Sequence, residues 1–231
     1  MSGSISEEQR FIDSVMIQLH EHIQHLEQRI SETIQQPSTG TQQDELEREA
    51  LLENLYQQLR AANASRNRLC VGRIRYTSGE DYHIGRIGLR DNQGETTVID
   101  WRAPQAEPFY RATNKEPLGL ALRRRISTRP TPQGPDVTHV DDEFFDGSSL
   151  DIAPASRSLD TPRDGRMADI LATIAADQDQ IIRSPIDQVT VVDGGPGTGK
   201  TVVALHRAAW LLYTYRRRLS KDGVQIGRAH V

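Results

Sequence analysis

The chain has 231 residues, 36% hydrophobic, 26% charged and 5% aromatic, a polar balance that suits long exposed helices and loops better than one compact globule. Its net charge of −4 gives no global pull towards nucleic acid, so any such binding must be local. One cysteine, Cys70, argues against a disulfide framework, and without a basic-then-apolar leader or an apolar run of membrane-spanning length the expected setting is cytoplasmic, with no membrane partner.

Residues 1–66 read as two helices. Ser6-Glu7-Glu8-Gln9 has capping-box spacing, with Ser6 as N-cap. Ile12, Met16, Leu19, Ile23, Leu26 and Ile30 then recur at alternating steps of four and three, an a/d seam. Residues 37–40 break the pattern, and Leu52, Leu55, Leu59 and Ala62 mark a second stripe. Helix, short turn and helix make an antiparallel hairpin of coiled-coil type. Such stripes can also pack on a globular body. Both helices are polar elsewhere and more acidic than basic, so a projecting acidic hairpin is the reading.

Over residues 67–130 the period changes. Segments 70–76, 82–89 and 95–101 look like short strands, separated by turn signals at Ser78-Gly79 and Asp91-Asn92-Gln93-Gly94, and 120–128 is the candidate for a fourth. A small antiparallel β unit is expected. Residues 131–165 are rich in Pro, Asp, Ser and Gly and read as a largely irregular connector. Helical spacing returns through Ile170, Leu171, Ile174 and Ile181.

The run Gly194-Gly195-Pro196-Gly197-Thr198-Gly199-Lys200-Thr201 fits G-x-x-x-x-G-K-[ST], the phosphate-binding P-loop (Walker A). A β-branched stretch, 188–193, precedes it and suits a buried parallel strand. An apolar stretch free of Gly and Pro, 202–215, follows and suits a helix whose N-terminus faces phosphates. Glycines let the backbone wrap a triphosphate and Pro196 stiffens the turn. Lys200 would reach the β- and γ-phosphates, and Thr201 would place its hydroxyl on Mg²⁺. Gln178, twenty-two residues before Lys200, can pair with adenine through its amide; on composition Gln180 is an equal candidate.

Arg123-Arg124-Arg125 with Arg129, and Arg216-Arg217-Arg218, are local basic clusters. They suit phosphates or an acidic partner, and equally solvated faces or helix C-termini. His139, Asp141, Asp142, Glu143 and Asp146 have metal-like composition but neither EF-hand nor zinc spacing, and read as a solvated turn.

Asp177-Gln178, Ile181-Ile182-Arg183 and the run 192–209 resemble the start of a superfamily 1 helicase-type ATPase, and among these the HelD-type bacterial RNA polymerase recycling factors. Tyr82-His83-Ile84-Gly85-Arg86-Ile87-Gly88-Leu89 and the run 98–113, opening Val98-Ile99-Asp100-Trp101-Arg102-Ala103-Pro104, resemble that family's segment between coiled coil and motor. The resemblance covers nearly the whole chain. It implies an α/β protein in which 166–231 begin a RecA-like P-loop ATPase domain, truncated here. Gln178 would be the adenine-reading glutamine of the Q motif, ahead of Gln180. Lys200 and Thr201 would be the Walker A pair, with ATP and Mg²⁺ as cofactors. The hairpin would enter the secondary channel of RNA polymerase, although its tip, 37–43, has no acidic cluster and so does not support delivery of catalytic carboxylates. A UvrD/Rep-type DNA helicase and a non-catalytic interaction module remain alternatives. Thirty residues follow Thr201, too few for a Walker B strand and a second motor domain, so the chain alone is expected to hydrolyse ATP poorly. Residues 226–231 back-translate to a common sequencing adapter, and native sequence is expected to stop near Gln225.

Overall fold

The computed structural model describes residues 2–36, 41–145, 174–195 and 197–225. Helix α1 spans Ser2–Gln35 and α2 spans Gln42–Ser65. The first begins before Ser6, which lies inside the helix and is not its cap; its carbonyl accepts from Arg10 Nε. The second is capped by Thr41, whose hydroxyl accepts from the Asp44 amide. The stripe of α1 buries Ile12, Leu19, Ile23, Leu26 and Ile30 as the spacing requires, but Val15 takes the buried place expected of Met16, which is half-buried. In α2, Leu55 and Ala62 are buried against it.

Strands β1 Cys70–Tyr76, β2 Asp81–Gly85, β3 Leu89–Arg90, β4 Thr96–Asp100, β5 Leu120–Thr131 and β6 Gly134–Phe144 form one sheet in the order β3-β4-β2-β1-β5-β6. It is mixed, not antiparallel throughout. The chain turns back through β3, which pairs antiparallel with β4, and this lays β4 parallel to β2 with Ile84 opposite Ile99. A larger departure is β6, which occupies residues expected to be irregular. It pairs with β5 along its whole length, Arg123 facing Glu143, Arg124 facing Asp142 and Arg125 facing Asp141. Pro135 is tolerated because β6 is an edge strand. The carboxylates need no turn, since cross-strand guanidiniums satisfy them. A 3-10 turn, Pro104–Ala106, and the short helix α3, Glu107–Arg111, connect β4 to β5.

Each face of the sheet has its own core. On one, α1 and α2 cover Cys70, Leu89, Val98, Ile126 and Val137. On the other, Val71, Ile74, Ile84, Ile99 and Leu120 pack with Phe109 of α3 and with Ile174, Ile182, Val203 and Trp210. Gly72 is required here: a Cβ would stand 2.1 Å from Phe109 Cε2 and 2.7 Å from the Arg124 carbonyl oxygen. The hairpin is therefore not an arm projecting free along its length, because the N-terminal half of α1 is seated on the sheet. Gln9 is bonded to the backbone at Pro135 and Val137, and Gln18 accepts from Thr97.

A buried charge cluster locks that seat. Glu8 is fully buried and accepts from Arg124 Nη1 at 2.7 Å and Arg73 Nη1 at 3.2 Å, while its other oxygen lies 2.8 Å from His83 Nε2. Asp81 and Asp142 take the remaining donors of Arg73 and Arg124. Burial alone would push the Glu8 carboxyl up; the hydrogen bond and charge of His83, with the two guanidiniums, bring it from 4.5 down to about 2. Arg123 points to the opposite face and donates to the carbonyls of Phe109 and Ala112. The arginine triplet thus builds the sheet and its two seats. Among the described residues no helix is long and apolar enough to cross a membrane.

Candidate functional site

Helix α4 spans Ala176–Ile182, α5 spans Lys200–Thr214 and α6 spans Arg216–Asp222. Their sequence explains their placement. Ile182 of α4 and Val203 and Trp210 of α5 are buried together on the sheet core, while two arginines join the backbones. Arg207 of α5 donates to the carbonyls of Ile181 at 3.0 Å and Ser184 at 2.8 Å, satisfying groups that the end of α4 leaves open. Burial lowers the Arg207 pKa from its ordinary value. Arg183 donates to Trp101 O at 2.8 Å, Arg102 O at 3.3 Å and Ala103 O at 3.4 Å, and pairs through Nε with fully buried Asp179 at 2.9 Å. Burial raises the Asp179 pKa, partly countered by Arg183. The Trp101 ring meets the His206 ring edge-on at 5.4 Å, and Arg102 lies over the Tyr213 ring at 4.6 Å. The 98–104 run and the 177–183 run, far apart in sequence, are in direct contact.

The loop between α4 and α5 departs from expectation in one respect. Residues 188–193 form no strand; Val189 and Val191 are 92% and 87% exposed. A parallel strand is held by neighbours on its edges, and none of the described residues lies beside this segment as a paired strand. Residues 194–195 and 197–201 nonetheless curl towards one another. The Asp193 carboxylate accepts from Gly194 N at 2.7 Å, and Thr198 Oγ1 donates to Gly195 O at 2.9 Å. Lys200 Nζ reaches back across the turn to the carbonyls of Gly194 and Gly195. Gly197 and Gly199 have φ of +81° and +84°, which side chains resist. Pro196 lies outside the described residues.

A Cβ on Gly194 would meet Thr198 Oγ1 at 2.8 Å, and one on Gly199 would stand 3.4 Å from Gln178 Nε2. Gln178 is half-buried, its Oε1 accepting from Ala175 N at 3.2 Å. Gln180 is exposed and lines a different space, a cavity of about 630 Å³ with Arg102, Arg111 and Tyr213. Lys200 and Thr201 head the 15-residue α5 and are exposed. A tight glycine turn, a lysine spanning it and a hydroxyl at the helix start are groups of the kind that can donate to a phosphate chain. Among the described residues no group of three or more His, Cys, Asp or Glu gathers to hold a metal ion; the 139–143 carboxylates lie on β6, Asp142 and Glu143 bonded to Arg124 and Arg123, and Asp146 lies outside the described residues.

Sequence reasoning passed over Asp179 and Arg207 and gave Arg183 no role. Arg183 and Arg207 each adjoin an apolar pair and Asp179 stands between two glutamines, patterns that by themselves do not separate a surface residue from a buried clamp.

No curated protein matches the chain. Residues 5–157 match the family model described as DNA helicase IV HelD, N-terminal domain, about two thirds of the chain; the 194–201 loop lies beyond the matched segment. Because that match runs through both helices and all six strands, the chain belongs to the HelD family.

Proposed function

We propose that this chain is the N-terminal part of a HelD-type, helicase-like ATPase that binds RNA polymerase and uses ATP hydrolysis to release or recycle it. The observation that carries the reading is the family match across hairpin and sheet, supported in the same chain by the G-x-x-x-x-G-K-[ST] run at 194–201, whose Lys200 reaches back to the Gly195 carbonyl. The division of labour follows: residues 1–66 engage polymerase core, the sheet seats them, and 166–231 begin the RecA-like ATPase domain.

In this reading Gly194, Gly195, Gly197, Thr198 and Gly199 wrap the phosphates with backbone N–H groups, and Pro196, which has none to give, stiffens the turn. Lys200 turns from the loop carbonyls to the β- and γ-phosphates, and Thr201 holds Mg²⁺ through its hydroxyl. Gln178 reads the adenine edge from beside Gly199. Bound Mg²⁺ supplies neutralising charge for phosphoryl transfer. Thr201 is the residue here that would hold it.

The test is paired. Immobilised chain should retain purified core RNA polymerase, and should lose it when residues 12–55 are replaced by a short linker. Separately, Lys200→Ala should abolish Mg–ATP binding measured by calorimetry. The family description names a DNA helicase, which favours a second reading: single-stranded DNA bound tightly, with no polymerase retained, would replace the recycling account with a UvrD/Rep-like one.

A further inference from the structure

Helix α4 has seven residues, too few to hold its shape or place unaided. Its position is set by what grips it. Arg207 grips the carbonyl end from α5. Arg183 grips the sheet: its side chain is 9% exposed, and its donors go to three successive carbonyls, Trp101, Arg102 and Ala103, and to buried Asp179.

The loop it holds is itself fixed. Trp101 N donates to Gly85 O at 2.9 Å inside the sheet, and the Arg102 guanidinium forms a two-point pair with Asp100. One residue before Asp179 stands Gln178, its amide against Gly199. The distance from glutamine to phosphate loop is thus decided on one side by α5 and on the other by the sheet.

We infer that Arg183 is a positioning residue for base selection, holding α4 on the 101–103 loop so that the Gln178 amide stands at the edge of the phosphate loop. The inference rests on the nucleotide reading of Gln178 and the loop. It makes the sheet a component of that site: the surface that seats the hairpin on one face hangs the base-reading helix from the other. The loop's grip on phosphate depends on its own backbone and Lys200, so it survives loss of Arg183. Base preference does not, because an amide discriminates only when held in register with the base edge.

The experiment is calorimetric binding of Mg–ATP and Mg–GTP to the 231-residue chain and its variants. The wild type should prefer ATP by about tenfold or more, and Gln178→Ala should erase that preference. Arg183→Ala should erase it to the same extent while Mg–GTP affinity stays within about twofold. Arg183→Lys, which keeps charge but cannot span four acceptors, should fall between, and carries the test alone should the alanine variant not fold. An unchanged preference in the Arg183 variants overturns the inference, as does an equal weakening of ATP and GTP, which is what mere loss of structure produces. The nucleotide reading fails separately: no binding by the wild type, or binding that Lys200→Ala leaves intact, removes the loop's role, and a wild type indifferent to the base removes that of Gln178. Either removes the inference too.

Discussion

Two β-branched segments of this chain have opposite fates. Val71 and Val98, in β1 and β4, are completely buried; Val189 and Val191, ahead of the glycine turn, are almost completely exposed. Residue type does not separate them, since burying a valine side chain is worth about 1.5–3 kcal/mol in either place. Neighbours do. β1 and β4 have strands alongside and helices on their faces, whereas 188–193 has no paired strand among the described residues. A strand-forming pattern states what a segment will do once flanked, and only the sheet region is flanked here.

The sharpest way to break that contrast is at Glu8. Glu8→Ala leaves Arg73 and Arg124 facing each other in a dry seat, and should cost about 3–5 kcal/mol in urea unfolding. Swapping the whole cluster for apolar residues should cost far less, because the pair is weak net support but a severe loss when halved. The same carboxylate sets an acid limit. Its folded pKa lies below its ordinary value, so its stabilisation is fully present above pH 4.5 and is lost as pH falls towards about 2. A titration by circular dichroism should show loss of helix packing in that window, absent in Glu8→Gln. Next comes Gly72→Ala, whose methyl would overlap Phe109 and the β5 backbone; about 1–3 kcal/mol of destabilisation is expected from thermal melts. Thr41→Ala removes the α2 cap, a long 3.4 Å bond, and should cost about 0.5–1 kcal/mol. The smallest effect sharpens the comparison most. Val189→Asp should change stability by less than about 0.5 kcal/mol, and a larger loss would mean that the segment is packed after all.

The sequence made the helices and the glycine turn before α5 legible and hid the sheet's edge. The α1 stripe was readable because periodicity is local, with Met16 and Val15 exchanged since adjacent positions differ by one step around the helix. Strand β6 was not, because its proline and carboxylates are turn signals until a facing strand of arginines is known. The parallel pairing of β2 with β4 leaves no periodic trace. At the candidate site Lys200 stood out by spacing and Gln178 only through the family resemblance, being level with Gln180 without it, while Arg183 did not stand out: its acceptors are backbone carbonyls some eighty residues earlier, and carbonyls have no signature in a sequence. The Glu8 cluster was hidden likewise, joining residues 75 and 116 positions apart.

Cys70 gives the seated hairpin an unplanned stopwatch. It opens β1 under the α1 stripe, completely free of disulfide, and burial beside the Glu8 charge pushes its thiol well above the ordinary range. Alkylating reagents attack thiolates that solvent can reach, so this sulfur stays silent while the helices are down. It is the chain's single thiol. The pace at which one mass increment appears would therefore time the lifting of the hairpin from the sheet, residue-specifically and without any introduced probe.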